Sequence, residues 1–258
     1  MLLSTWISAL VGILILGAIT TLVKDKEKLW LLVGAGFILG LAVFGSLIVQ
    51  SREREKTMRV VGYATKAFES DLVKWNVSLS RRTDAASQSQ GIRDLAGDTA
   101  RFKAFLLEKG FTEADILMNP AQINPLNDNY GNLIGYNVAQ AFVITSKSLD
   151  AVQEIALKPE LLSELGITTE NSYLAYFYTQ LPELKKTLLA EATQDAMARA
   201  TEISSAAKTR LGKLINARAG VFQITEPYST EVSDYGIYST STRSKHISVT
   251  LTAEFQLK

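Results

Sequence analysis

The sequence has no cysteine, a single histidine (His246) and five prolines among 258 residues. Without cysteine there is no disulfide framework, no thiol nucleophile and no thiolate metal site. One imidazole cannot build a histidine cluster on zinc. An excess of charge of either sign is also missing, since 27 Lys and Arg face 26 Asp and Glu. That balance argues against a general nucleic-acid binder. The glycine motifs that cradle phosphates, GxxxxGK(S/T) and GxGxxG, are absent, as is the nucleophile elbow GxSxG. The expectation is therefore no catalytic residue, no cofactor site and no metal site.

What the chain does have is an apolar front. Residues 2–23 and 29–49 carry no charge, and each is about the 20 residues that a bilayer-spanning helix needs. Only KDKEK separates them. A cleavable signal peptide would need a positive flank and an A-x-A-like site, and neither precedes Lys24. Residues 1–50 are thus predicted to form a two-helix transmembrane hairpin, with the lipid bilayer as partner of residues 2–49. Lys24, Lys26 and Lys28 pull the loop towards the cytoplasm, and Arg52, Arg54 and Lys56 pull the other flank the same way. The uncharged flank MLLSTW favours a cytoplasmic loop with both ends outside. Gly36 and Gly40 make a GxxxG with Gly45 one turn further, a pattern that lets helix backbones approach closely. These three glycines are candidate packing positions, and the lack of charge within the spans speaks against an ion path.

Residues 51–57 read as a charged linker, and from 51 onward 24 basic residues balance 24 acidic ones. MRVVGYAT and DLVKWNVSLS alternate as strands, the second with Val73, Trp75, Val77 and Leu79 on its apolar face. From Thr83 the pattern becomes helical through Ile92, Leu95, Thr99, Phe102, Leu106 and Leu107, with Gly110 ending the helix. ILMNPAQINP reads as an edge or bulged strand, because Pro120 and Pro125 cannot donate to a ladder. A turn-rich loop, the strand LIGYNVAQAFVITS and a short helix over 148–165 follow. After the aromatic strand TENSYLAYFYT, Pro182 opens a long helix over 182–211. Its apolar residues Leu184, Leu188, Ala192, Ala196, Ala200, Ile203, Ala207 and Leu211 form one narrow, alanine-rich face. Gly212 ends it, and KLINARAGVFQIT and KHISVTLTAEFQL are the closing strands. The predicted fold class is α/β of the α+β type: a mixed, largely antiparallel sheet with packed helices, arranged as two βαββ units.

Candidate chemistry is sparse. His246 falls among Ser248, Thr250 and Thr252 on the polar face of the last strand and reads as a surface residue. Glu113 and Asp115 sit in a turn, where solvated carboxylates are the rule. Segment 226–242 carries seven Ser and Thr together with Tyr228, Tyr235 and Tyr238. It is either a mobile solvated loop or an adaptable contact loop, for which tyrosine among small polar residues is well suited. Tyr173, Tyr176, Phe177 and Tyr178 are read as sheet packing, with rings on both faces of their strand.

Three stretches carry a family resemblance. VVGYATKAFESDLVKWNVSLS resembles the opening strand, turn and strand of SIMPL-domain proteins. FLLEKGFTEADIL is similar to that family's helix–Gly–Asp–Ile step, and YTQLPELKKTLLAEATQDAMARATEISSAAKTRLGKL to its late alanine-rich helix. The likeness covers about residues 58–258, predicted as one SIMPL-like domain. It departs at the front, where members usually carry a signal peptide or one segment rather than two spans. The family is bacterial and envelope-associated, has no established activity and no agreed catalytic residues, and includes ring- or channel-shaped homo-oligomers and members linked to stress. The resemblance implies a periplasmic soluble domain, which the predicted hairpin would anchor in the cytoplasmic membrane. It also implies self-assembly into a large symmetric homo-oligomer with a stress-protective role. The alternative is a ligand- or partner-binding module in envelope stress signalling, its small-molecule ligand unknown.

Overall fold

The computed structural model describes residues 26–52 and 56–258. They fall into two units, one ending at Thr57 and including Leu257, the other Met58–Gln256 with Lys258. In the first, helix α1 spans Lys26–Arg52, so helix begins inside the predicted KDKEK loop. The first predicted span, 2–23, lies outside the described residues, as do 53–55 of the linker. Within α1 the described side chains are those of 34–48. Among the described residues no helix is long and apolar enough to cross a membrane.

The second unit begins with β1 (Thr57–Glu69), β2 (Leu72–Asp84), α2 (Gln88–Glu108), β3 (Ile116–Met118), β4 (Gln122–Asn127) and β5 (Leu133–Ser146). It continues with the short helices α3 (Leu149–Ala156) and α4 (Pro159–Glu164), then β6 (Thr169–Phe177) and α5 (Leu181–Ala206). The closing strands are β7 (Leu211–Ala219), β8 (Gln223–Thr225), β9 (Ile237–Tyr238) and β10 (Ser244–Leu257). They form two five-stranded sheets: β3-β5-β2-β6 with β4 also on β5, and β1-β10-β8-β9 with β7 also on β10. The mixed α/β class and the antiparallel pairing agree with the sequence reading. The arrangement as one sheet of two βαββ units does not hold. β6, expected to open the second unit, pairs with β2 in the first sheet, and β1 joins β10 in the second. Strand partners are chosen by long-range packing, which local periodicity does not encode.

In the first sheet β2 turns Val73, Trp75, Val77 and Leu79 inward, all essentially inaccessible. They meet Leu95, Phe102 and Leu106 of α2 and Val152 and Ile155 of α3. Phe102 stands edge-on to both Trp75 and Phe142, with centroids 5.8 and 5.1 Å away, the arrangement that ring quadrupoles favour. The strand outruns its expected end, so Thr83 and Asp84 belong to β2 and the helix starts at Gln88. Pro120 splits the expected ILMNPAQINP strand into β3 and β4. Pro159, at the first turn of α4, divides the expected 148–165 helix into two.

A carboxylate sits in this core. Asp98, on the buried face of α2, is 1% exposed. Its carboxylate accepts from Nε and Nη2 of Arg81 and from Nη2 of Arg101. Arg81 Nη2 also donates to the carbonyl of Gly166 at 2.8 Å. The Asp98 carboxylate holds the Arg81 guanidinium above its usual pKa. A buried carboxylate survives only when paired and hydrogen-bonded, and here a strand, a helix and a loop are tied at one point.

The second sheet packs on α5. The narrow face is as expected down to Ala200, but its last buried residue is Ser204, while Ile203 is exposed. Helix ends at Ala206 because Lys208 turns into the left-handed region at φ 55°. Gly212 therefore does not end the helix; it lies within β7, where a Cβ would come 2.8 Å from the Gln256 carbonyl oxygen. Across the sheet, a Cβ on Gly62 of β1 would fall 2.1 Å from the Ala192 carbonyl oxygen and 2.7 Å from the Ala196 nitrogen. Helix and strand thus approach backbone to backbone, which only glycine against alanine allows. Beside that contact, Asp195 of α5 accepts the Tyr63 N–H at 2.8 Å.

The two sheets are sewn together where β1 passes to β2. The Ser70 N–H donates to the Arg243 carbonyl at 2.9 Å. Asp71 accepts from the N–H and hydroxyl of Thr179 at 2.7 and 2.6 Å. Arg243 itself reaches Asp150 at 2.6 Å and Glu69 at 3.5 Å.

Two outcomes follow from these contacts. Gly62→Val drives side-chain atoms into helix backbone and is expected to lower stability by about 3 kcal/mol or more, read from the urea midpoint. Asp98→Ala leaves two guanidiniums without their carboxylate and is expected to cost about 3 kcal/mol. The exposed Asp94→Ala on the same helix should stay within about 0.5 kcal/mol of the parent in the same titration.

Candidate functional site

The segment 226–242 is held as a strap over one end of the second sheet. The Ser239 N–H donates to Ile224 O at 2.8 Å, the Tyr176 N–H to Thr240 O at 2.8 Å, and Gln223 Nε2 to Ser233 O at 2.6 Å. Ser241 Oγ donates to Glu226 Oε1. Gly236 takes φ +85°, and a Cβ there would also meet the Phe222 carbonyl at 2.8 Å, so the bend requires glycine. On this frame the three predicted tyrosines do not form one cluster. Tyr228 is 95% and Tyr235 97% exposed, while Tyr238 is half-covered by the ring of Phe177, 6.4 Å away. His246 lies on the outer face of β10 with its ring edge-on to Tyr228 at 6.3 Å.

Between the strap and the open face of the sheet runs a trough of about 860 Å³. Tyr63, Arg218, Gln223, Ser248 and Thr250 line its floor and residues 229–234 its rim. Gln223 Oε1 is buried without a hydrogen-bond partner, and Arg218 has no ion-pair partner among the described residues. Arg218 also borders a neighbouring hollow with Arg59, Asn216, Thr252 and Glu254. The open face thus presents guanidiniums and hydroxyls together.

The remaining sequence candidates have structural places. Asp115 accepts from the Thr112 N–H and hydroxyl at 2.8 and 2.7 Å, and the hydroxyl contact leads in holding its pKa below the usual carboxylate range. Glu113 pairs with Lys103 at 2.7 Å. Around Gly36, Gly40 and Gly45 a Cβ would meet nothing within 4 Å, so no described residue packs on them. Tyr176 turns into the core and accepts from Gln153 Nε2 at 2.7 Å, whereas Tyr173 stands out from the opposite face. Among the described residues no group of three or more His, Asp or Glu could hold a metal ion.

Lys245 escaped the sequence reading. It shares the parity of Ile247, Val249, Leu251, Ala253 and Phe255, so β10 turns it inward, where it is 1% exposed. That parity is the signal in the sequence, set against the usual surface placement of a lysine. Its Nζ donates to the Thr242 carbonyl. Burial pushes the ammonium down to about 8, and the charge of Glu226 only partly opposes that.

A lysine whose pKa falls on folding costs stability once the unfolded chain takes up a proton that the folded chain refuses. The stability lost in this way accumulates as pH falls from about 10.5 to about 8 and is constant below. Lys245→Met should raise stability at pH 7 by about 1–3 kcal/mol and flatten the pH dependence of the unfolding midpoint between pH 8 and 10.5. Equal slopes for parent and variant across that window would contradict it.

Comparison with known proteins adds one assignment. No curated protein matches the chain. The family model SIMPL, a protein of unknown function (DUF541), matches residues 58–255. That stretch is nearly all of both sheets and their helices, and with it the chain belongs to the SIMPL family.

Proposed function

We propose that this chain is a membrane-anchored SIMPL protein whose domains assemble laterally into a symmetric homo-oligomer at the outer side of a bacterial cytoplasmic membrane. The observation that carries it is the surface of α1. Phe37, Ile38, Leu39, Leu41, Val43, Phe44 and Leu47 are all exposed, so the helix is apolar all round. Such a surface needs lipid or other helices around it. The sequence stays uncharged beyond the described side chains, from Leu29 to Val49, and the apolar stretch 2–23 precedes it. Gly36, Gly40 and Gly45 leave room for a second helix backbone.

Lateral assembly draws support from the edges of the second sheet. On β1, the N–H of Tyr63 is taken up by Asp195 of α5. β7 pairs with β10 alone, and from Lys213 to Ala219 every residue is exposed, Leu214 and Ile215 included. An open strand edge with apolar side chains is a template for another strand. Anchoring in one plane raises the local concentration of such edges, and weak contacts then suffice. A stress-protective role is consistent with a scaffold of this kind.

A second reading rests on the strap. Tyr228 and Tyr235 stand almost fully solvent-exposed on the strap, as in a surface that contacts another molecule. In that reading the domain is a binding module in envelope stress signalling.

Particle mass in mild detergent separates the two. The full-length chain is expected to give one discrete mass at a multiple of 28.3 kDa, and Leu214→Glu with Ile215→Glu should reduce it without changing the unfolding midpoint. A monomeric parent protein would overturn assembly. A mass indifferent to the double substitution would remove β7 from the interface.

A further inference from the structure

The first sheet has an open face too, and its chemistry is unlike that of the second. Register places Asn76 of β2 between Val143 of β5 and Tyr173 of β6, and Ser78 between Ala141 and Asn171. Asn119 and Gln122, where β3 passes to β4, close the far side, giving a hollow of about 380 Å³. At ordinary strand and residue spacings these two rows cover about 10 by 7 Å. No charged residue lines the hollow. Four amides, one hydroxyl and one tyrosine converge there, and none of their side chains makes a hydrogen bond within the described residues. Three amides elsewhere in the molecule are engaged, Asn137 donating to Glu170, Asn132 to Asp128 and Gln153 to Tyr176; what distinguishes the hollow is four unengaged amides on one uncharged patch.

We infer that this hollow is a binding site for a neutral saccharide of one or two rings. Each amide offers a donor pair and an acceptor on one rigid plane, which matches the paired donor and acceptor of vicinal hydroxyls. Tyr173, 61% exposed at the rim, supplies a flat apolar surface for the C–H face of a pyranose, and Ala141 and Val143 supply an apolar floor. A few fixed polar groups around apolar surface is the usual make-up of a small-ligand site. A carboxylate- or phosphate-bearing ligand would find no cation here. Anionic ligands suit Arg59 and Arg218 on the other sheet, and a purely apolar ligand would strand the amides. The inference is independent of membrane anchoring and of oligomeric state.

The test is saturation-transfer NMR on the full-length chain in a polyoxyethylene detergent, because a maltoside head group would itself compete. The probes are N,N′-diacetylchitobiose and maltose at millimolar concentration, with digalacturonic acid as the charged comparator. Transfer to the ring protons of at least one neutral disaccharide is expected, and none to digalacturonate. Tyr173→Ala should weaken binding about tenfold, and Asn171→Asp, a change of almost no volume, should weaken it with an unaltered unfolding midpoint. Met197→Ala, exposed on α5 of the other sheet, should leave it unchanged. The site is overturned if neither disaccharide shows transfer, if transfer survives both Tyr173→Ala and Asn171→Asp, or if digalacturonate binds equally well.

Discussion

The approach of α5 to β1 is the constraint on which the second half of the molecule depends. The helix shows the sheet alanines, the sheet shows the helix Gly62, and the backbones come closer than any larger pair permits. That proximity brings the Asp195 carboxylate within 2.8 Å of the Tyr63 N–H. The bond takes up one N–H of the strand and fixes the register of helix against sheet. Close packing and a helix-to-strand hydrogen bond thus coincide on the β1 side. The β7 side has no counterpart among the described residues.

The connection from β1 to β2 couples this sheet to the other. Two residues separate a strand of one sheet from a strand of the next, and the Ser70 and Asp71 hydrogen bonds hold the turn. Arg243, just before β10, spans from Glu69 to Asp150 and so grips both layers. The strap shares in this seam through the Tyr176 bond to Thr240 and the Phe177–Tyr238 stack. Of its tyrosines, Tyr238 is held in the seam while Tyr228 and Tyr235 stand out in solvent.

What could be read from the sequence depended on how local its cause was. Val73, Trp75, Val77 and Leu79 declare their face by alternation, and Leu184 to Ala200 theirs by spacing in fours, since these follow from strand and helix geometry alone. Pro120 and Pro159 marked breaks that the chain makes, although one strand and one helix were expected where each became two. Sheet membership was not legible: β6 and β1 exchange places because pairing is decided by contacts a hundred residues apart. Asp98 is not legible as buried because its main partner, Arg81, lies in another element and is itself held by the Gly166 carbonyl. Lys245 was legible in principle, and its inward parity with Ile247 and Val249 was the signal.

The two outer faces show why site chemistry is harder to read than folding. Along β2, Asn76 and Ser78 are ordinary polar positions of an alternating strand, as are Asn171 and Tyr173 along β6. Only register sets them side by side, and only then does the absence of charge acquire meaning. About a fifth of this chain is charged, and long charged side chains are the usual cover for a solvent-facing sheet. The nearest cation on β2, Lys74, is instead held over the ring of Phe177 at 5.2 Å, away from the amides. On the second sheet, by contrast, Arg59, Arg218 and Glu254 border the floor. One domain thus carries an uncharged amide surface and a guanidinium-bearing one on separate sheets. A single fold repeated around a symmetric assembly would display each of them many times over, converting weak single contacts into avid ones.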